Sequence, residues 1–303
     1  MLPIVLLVGI GMICQRFRLL PQFTPAALDR FAIVVLLPAF AVVRLQDVAL
    51  SREILLPVAV SWGQLILAAA LVLEIGRWRH WSDRTIGTLL LVVPLANTSF
   101  VGLPLVESLL GGDRVAPAVL YDQLGTFLAL TTYGTFIAAR YGTAGVAISG
   151  GAGPTGAASM VRRVVTFPPF LGMVAGLALH SVTLPDAISE VLGRLGGALV
   201  PVVLISIGMR ISWPRSPRIL EPTAVALAIR LLIVPALVFG VAAAVGGHGV
   251  SWDAVRLESA MPPMISAGVM ATDAGLDEEL VGAVVGIGLL IGLATVWAWS
   301  TLI

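Results

Sequence analysis

The chain has 303 residues, of which 58% are hydrophobic and only 12% are charged, and its mean hydropathy is +1.01. Because soluble proteins are about 25% charged, this composition excludes an ordinary soluble domain and predicts a protein that lies in the lipid bilayer. The formal net charge of +1 gives no indication of a nucleic-acid partner. The single Cys14 excludes an internal disulfide and fits no cluster of metal ligands.

Apolar stretches recur along the whole chain, and a helix needs about 20 such residues to cross a hydrocarbon core about 30 Å thick. We therefore predict an all-α membrane protein with about ten transmembrane helices, or eight or nine if the two short stretches do not span. The short stretches are Leu2–Cys14 and Phe31–Val43. The longer stretches are Ile54–Leu73, Ile86–Leu109, Val115–Ala139, Val165–His180, Leu184–Met209, Thr223–Val245, Val255–Ala274 and Leu280–Ile303. Leu2–Cys14 is predicted to be a short helix and not a signal peptide, because no basic segment precedes it.

Arginine in the loops predicts the orientation, since basic residues are retained in the cytoplasm. All 18 basic residues are arginine; twelve fall in the loops after the first, third, fifth and seventh predicted helices, and four fall in the opposite loops. This asymmetry predicts that both termini lie outside, in a multi-pass protein of the bacterial inner (plasma) membrane. The acidic loop after the ninth helix, residues 273–279, does not add to the pattern.

The distribution of apolar stretches predicts that the chain consists of two halves. A stretch rich in glycine, alanine and serine separates them, so we assign residues 1–140 to a first five-helix repeat, 141–164 to a cytoplasmic linker and 165–303 to a second five-helix repeat. An odd number of helices in each half forces opposite orientations and predicts an inverted repeat. Pro38 and Pro201 stand at matching places, as predicted helix breaks in the second and seventh helices.

Two apolar stretches are interrupted near their centres. Residues 94–104 read PLANTSFVGLP within the fourth predicted helix, and residues 261–268 read MPPMISAG within the ninth. Proline removes a backbone donor and glycine loosens a helix, so both helices should break there. Irregular backbone inside a bilayer is tolerated only where protein or a cavity surrounds it. A matched pair of broken helices that cross is typical of the substrate site of a secondary transporter.

The motifs, taken in order, resemble the auxin efflux carrier family. They are Gly9-Ile10-Gly11, Leu37-Pro38-Ala39-Phe40, the segment Asn97–Leu105, Pro168-Pro169-Phe170-Leu171-Gly172, the segment Pro201–Gly208 and Ala260-Met261-Pro262. The resemblance covers nearly the whole chain and implies a ten-helix fold of two inverted repeats, similar to sodium/proton antiporters and bile acid symporters. It also implies secondary transport of small organic anions, either malate-like or auxin-like. Members of that family often dimerise, so a homodimer remains open.

The broken segments supply the candidate substrate-binding residues, because half-helix N-termini offer free backbone donors and about half a positive charge. These residues are Asn97, Thr98, Ser99, Gly102 and Pro104 in the first break, and Pro262, Pro263 and Ser266 in the second. Asn97 is the strongest candidate because its amide can donate to a carboxylate. The alternative is that these polar side chains only satisfy the broken backbone. No acidic side chain lies within either break, which favours an anionic substrate over a cation.

Three further residues are candidates for coupling or charge balance. Arg230 lies inside an apolar stretch, where a charge is costly and usually functional; the alternative is that it snorkels to the cytoplasmic interface. Asp122 and Gln123 open the fifth helix and are the best partners for a proton or a cation, although a solvated carboxylate at a helix start is the alternative favoured for Asp122. Gln64 and Ser206 either line the cavity or join packed helices, and Glu74 and Glu107 are expected at the interface.

The function predicted from these observations is alternating-access transport of a small carboxylate, with the lipid bilayer as the surrounding partner. We expect no enzyme and no cofactor, because His80, His180 and His248 all fall near predicted loops, without a nucleophile, base or metal-ligand spacing. The coupling ion, a proton or sodium, remains open. A passive anion channel and an intramembrane enzyme are the alternative functions.

Overall fold

The computed structural model describes residues 2–21, 23–45, 55–142, 165–166, 168–179, 182, 184–209 and 216–303. These residues are almost entirely helical, and among them the only extended pairing is one isolated bridge. The prediction of an all-α protein is therefore confirmed. The predicted linker lies outside the described residues from position 143 onward.

Sixteen helices are numbered here in chain order within the described ranges. They are α1 (Leu2–Arg16), α2 (Thr24–Phe31), α3 (Leu37–Leu45), α4 (Leu55–Trp78), α5 (Asp83–Val92), α6 (Leu103–Leu110), α7 (Val115–Leu120), α8 (Thr135–Tyr141), α9 (Pro168–Ala178), α10 (Asp186–Gly197), α11 (Leu199–Gly208), α12 (Leu220–Ala228), α13 (Val234–Ala244), α14 (Val250–Ser259), α15 (Ile265–Asp273) and α16 (Glu278–Ser300). Wider π turns join several of them, at Ala32–Leu36, Thr98–Gly102, Tyr121–Phe127, Leu130–Gly134 and Ile229–Ile233.

Five helical stretches of the described chain are long and apolar enough to cross a bilayer unaided. They are Thr24–Val43, Leu55–Trp78, Asp186–Ser206, Pro217–Ala244 and Glu278–Ser300. The predicted fourth and ninth helices are each divided into two short pieces, which is why neither piece reaches the required length. The protein is a multi-pass, all-α membrane protein.

Proline shapes the helices less strongly at Pro38 and Pro201 than predicted, and the prediction of a helix break at these two residues was wrong. Helix continues through Pro38, because the π turn Ala32–Leu36 directly before it accommodates the missing donor and the clash with the carbonyl four residues earlier. At Pro201 the helix is interrupted only at Ala198, three residues upstream.

Close glycine contacts hold one group of helices together: α1 packs against α11, and α3 against α9 and α10. A side chain at Gly11 would overlap the carbonyl of Ile205, and one at Gly208 would overlap the carbonyl of Val8. A side chain at Gly172 would likewise overlap the backbone of Pro38. Small residues at such contacts let helices approach closely in a bilayer. The remaining helices, α4 to α8 and α12 to α16, pack around the two broken segments.

The outer surface and the two ends of the bundle fit a bilayer. Large apolar side chains such as Ile66, Val241 and Leu237 are exposed, as expected of a surface that faces lipid tails. Two contacts between helix ends and loops show which of these segments lie at the same end of the bundle. Arg84 donates to the carbonyl of Leu276 (3.1 Å), and Arg79 donates to Glu221 (2.6 Å).

Candidate functional site

The two broken helices cross at their interruptions. The chain leaves helix after Val92 and after Ser259, and it re-enters helix at Thr98 and at Ile265. Between these points the two extended segments run antiparallel, with a bridge between Ala96 and Pro263. The amide of Asn97 donates to the carbonyl of Pro262 (2.8 Å), and the amide of Met264 donates to the carbonyl of Leu95 (2.9 Å). Backbone groups freed by the breaks are thus satisfied by the opposite break.

Asn97 lies at the centre of this crossing and is 1% exposed. Its side-chain oxygen accepts from the amide of Phe100 (3.3 Å) and caps the helix that follows. Its side-chain nitrogen Nδ2 is buried and has no hydrogen-bond partner. The oxygen therefore satisfies the broken backbone, while the nitrogen is an unused donor.

Thr98 and Ser99 donate their hydroxyl hydrogens to one carboxylate oxygen of Asp122, at 2.5 and 2.6 Å. Gln123 donates to the other oxygen of Asp122 (2.6 Å). Asp122 is completely buried, so the favoured expectation of a solvated carboxylate was wrong. The physical reason is that the π turn Tyr121–Phe127 packs against the first break, which supplies two of the three donors. The structure thus brings Asp122 and Gln123 into the site.

The other predicted residues of the breaks lie along the same crossing. Pro104 is the second residue of α6 and is buried, where its missing amide hydrogen costs nothing. Pro262 and Pro263 contribute the accepting carbonyl and the bridge. Ser266 is half-buried, at the start of α15, a helix whose N-terminus has no side-chain cap. Gly102 faces a carboxylate from the other broken helix, Glu258.

Arg230 is completely buried, and the alternative that it snorkels to the interface was wrong. The π turn Ile229–Ile233 that carries it ends two residues before Pro235, and its wider backbone accommodates that proline. The Nη2 atom donates to the carbonyl of Ser259, at the end of α14, and to Gln64 Oε1 (3.4 Å). The Nε and Nη1 atoms are buried without a hydrogen-bond partner. Gln64 therefore belongs to the site.

Glu258 is a site residue that the sequence analysis missed. It is 0% exposed, and neither of its carboxylate oxygens has a hydrogen-bond partner. Asp122 and Arg230 are near enough to interact with it electrostatically. A cation would therefore find a carboxylate at the crossing. The expectation that none lies there was wrong, because it rested only on the residues inside each break. A carboxylate four residues before Pro262, within an apolar stretch, was the available signal.

Several other candidates lie away from the crossing. Ser206 joins packed helices, since it donates to Asp29 (2.5 Å) and to the carbonyl of Pro25 (3.1 Å). Glu74 is exposed at the end of α4, as expected for an interfacial residue, and Glu107 is half-buried. Within the described residues no group of histidine, cysteine and acidic side chains is suited to hold a metal ion.

A crevice of about 230 Å³ leads away from the second break. Ile265 and Gly268, at the start of α15, lie at one part of its wall, and Thr272 and Asp273 bring polar groups to it. The facing wall is formed by α16, with Val281 and Val285. The crevice therefore runs along α15, from Ile265 at its start to Asp273 at its end.

Comparison with known proteins adds to this geometry. Residues 1–150 and 156–300 match the model of a family described as membrane transport protein. The chain belongs to this family, which includes the auxin efflux carriers. This chain also aligns over its full length with a protein of Methanothermobacter thermautotrophicus that is described as an uncharacterised transporter. The two are 26% identical over 306 residues, which cover 100% of this chain and 97% of the relative.

A second relative of this chain comes from Methanocaldococcus jannaschii and is also described as an uncharacterised transporter. It is 25% identical over 314 residues, which cover 99% of this chain and 97% of the relative. The family and both relatives are therefore all described as membrane transporters.

Proposed function

We propose that this membrane transport protein is a secondary transporter that moves a small organic anion, a carboxylate, across the bacterial inner membrane by alternating access. The observation that carries the proposal is a set of unused hydrogen-bond donors at the crossing of two broken helices. Asn97 Nδ2 and the Nε and Nη1 atoms of Arg230 are buried without partners. Buried donors without partners cost about 1–3 kcal/mol each, more when charged, and a bound carboxylate would satisfy them.

Apart from the carboxylates of Asp122 and Glu258, the crossing adds electrostatic support for an anion. The helix from Thr98 to Leu110 and helix α15 both begin there. Each N-terminus carries about half a positive charge, and α15 has no side-chain cap. Arg230 adds a full charge, and a guanidinium can hold a carboxylate with two parallel hydrogen bonds. Buried donors of this kind are better matched to a carboxylate than to an organic cation.

The crevice beside α15 supports a small substrate. Its volume of about 230 Å³ is below the range of about 300–1,000 Å³ that is common for drug-sized ligands. Val281, Val285 and Ile265 give it an apolar wall, which suits a short hydrocarbon skeleton. We assign it as part of the route between the site and one side of the membrane.

The packing of the helices supports an alternating-access mechanism. We propose ten spanning helices in two inverted five-helix repeats, residues 1–140 and 165–303, joined by a cytoplasmic linker, with both termini outside. The glycine-packed group of α1 to α3 and α9 to α11 would serve as the scaffold. The helices around the broken segments would move against it as one body. Each position of that body would open the crossing to one side.

Thermal stabilisation of the purified protein by a panel of carboxylic acids tests the proposal. Malate and indole-3-acetate should raise the melting temperature, and the corresponding amides should have much smaller effects. In proteoliposomes, the stabilising acid should exchange against its labelled form with saturable kinetics. Equal stabilisation by acid and amide, or stabilisation by organic cations alone, would contradict an anionic substrate. Exchange that does not saturate would favour a passive channel.

A further inference from the structure

The crossing contains two buried acids but only one buried base, so the three groups cannot all be ionised without a net charge. Asp122, Glu258 and Arg230 are all completely buried, so two acids share a single base. If both acids were ionised, the cluster would hold a net negative charge inside the bilayer, which is costly and would repel an anionic substrate. One proton on either acid makes the cluster neutral.

Hydrogen bonding indicates which acid carries that proton. Asp122 accepts from three donors, Thr98, Ser99 and Gln123, at 2.5 to 2.6 Å. An ionised carboxylate only accepts hydrogen bonds, so this arrangement fits the charged form. Glu258 accepts from none, since both of its oxygens are buried without partners. A bare carboxylate in that position is far more costly than a neutral acid.

Arg230 connects this proton to the substrate. Its Nε and Nη1 atoms are unused, and Glu258 is close enough to interact with it electrostatically without forming an ion pair in this arrangement. An ionised Glu258 would pair with Arg230 and occupy the donors that a substrate carboxylate needs. A protonated Glu258 leaves Arg230 free. The anion and the ionised glutamate therefore compete for one guanidinium.

We propose that Glu258 is the proton-carrying residue of the transport cycle and that one proton binds together with each substrate anion. This inference rests on the proposed function. On one side of the membrane an O–H bond forms between a proton from water and the Glu258 carboxylate, and the anion takes the donors of Arg230. On the other side the anion leaves, Glu258 releases the proton to water and pairs with Arg230. The substrate and the proton thus move in the same direction.

The surroundings of Glu258 contain few competing groups. The groups near enough to interact electrostatically with Glu258 include Asp122 and Tyr121, from the turn Tyr121–Phe127, and Arg230, from the turn Ile229–Ile233. Arg114 lies on another packed element but pairs with Asp253, at the start of α14 (3.3 Å). Glu107, on α6, is half-buried. Among these groups only Glu258 combines complete burial with a carboxylate that accepts no hydrogen bond.

Two measurements on the full-length purified protein test the proposal. Calorimetric titration with malate, in buffers of different ionisation enthalpy, counts the protons taken up on binding. At a pH at which Glu258 of the substrate-free protein is ionised, wild type should take up protons on binding malate, and binding should become tighter as the pH falls. Glu258→Gln should lose both effects, and Glu258→Asp should keep them. Glu74→Gln is the matched control, because Glu74 is exposed, and it should behave as wild type.

Infrared spectroscopy of the substrate-free protein is the second measurement and needs no ligand. As the pH falls, the spectrum of wild type should gain a protonated-carboxyl band that Glu258→Gln does not gain. A band that also appears in Glu258→Gln would overturn the proposal, as would malate binding that takes up no proton at a pH at which Glu258 is ionised. Binding that requires sodium, and loses this requirement in Glu258→Gln, would identify a metal-cation site instead. If no carboxylate binds at any pH but the band is present, the proposed substrate fails and the protonation of Glu258 stands.

Discussion

The carboxylate of Glu258 lies directly against the backbone of Gly102, although the two residues belong to different broken helices. A side chain at Gly102 would overlap all three carboxyl atoms of Glu258. Glycine at this position is therefore explained by the approach of the carboxylate and not by the backbone angle, since φ is −63°. A side chain from one broken helix thus contacts the main chain of the other broken helix.

Gly102→Ala should consequently destabilise the protein, because the added methyl group would overlap the carboxylate of Glu258, which is completely buried. Overpacking of this kind costs about 1–3 kcal/mol. The melting temperature in detergent should fall. Gly63→Ala on α4 is the control, since nothing lies within 4 Å of a Cβ there, and it should leave the melting temperature unchanged or raise it. Equal melting temperatures for the two variants would show that Glu258 moves away freely.

Asn97 allows its two roles to be separated. Asn97→Asp keeps the oxygen that caps Phe100 but replaces the free donor with a negative charge, so carboxylate binding should be lost. Asn97→Ala removes both and should weaken binding by about 1–3 kcal/mol, with a lower melting temperature. Titration with malate and thermal unfolding measure the two effects. Normal malate binding by Asn97→Asp would mean that Asn97 serves only the backbone.

Arg230→Ala should abolish transport, because it removes the cation that holds the substrate and leaves Glu258 without a countercharge. Arg230→Lys should keep part of the activity if charge alone matters, and little if the planar fork is needed. Exchange of labelled malate in proteoliposomes measures this, with Arg77→Ala as the control, since Arg77 is 69% exposed. Near-normal exchange in Arg230→Ala would remove Arg230 from the mechanism.

Asp253 serves two arginines at the start of α14. Arg114 lies 3.3 Å from one of its oxygens, and Arg256 lies 4.0 Å from the other. Asp253→Asn should therefore destabilise the protein more than Arg114→Gln, because it leaves two guanidinium groups without a carboxylate, one of them only 8% exposed. Breaking a buried ion pair costs about 3–5 kcal/mol, and these partly exposed groups should cost less. Thermal unfolding of the two variants gives the comparison, and an equal loss would contradict the shared role.

The proposed topology predicts the sidedness of three regions. In a variant without the native cysteine, single cysteines at the two termini should react with an impermeant reagent applied outside intact cells. Cysteines in the stretch Tyr141–Met160 should react only after permeabilisation. If the two terminal cysteines react from opposite sides of the membrane, the arrangement of two inverted five-helix repeats is excluded.

The sequence was most informative where the chain is locally constrained. The apolar stretches predicted the helices, and the proline- and glycine-rich segments predicted both interruptions, because these effects act within a few residues. The donors of Asn97 and Arg230 were identified for the same reason, since a polar group in an apolar helix is conspicuous.

The remaining site residues depend on distant partners. Asp122 looks like a solvated helix start, and its burial follows from Thr98 and Ser99, more than 20 residues earlier. Glu258 lies outside its own break and becomes part of the site only when Gly102 of the other break packs against it. Such contacts arise from the crossing itself, which no local pattern encodes.

The crossing is held by main-chain atoms, through the amides of Asn97 and Met264 and the carbonyls of Pro262 and Leu95. Main-chain hydrogen bonds of this kind can form with many different side chains at the same positions. Related proteins can therefore change the residues that surround the bound molecule while the crossed scaffold persists. Ligand preference within this lineage is free to diverge, since new specificities require no new architecture.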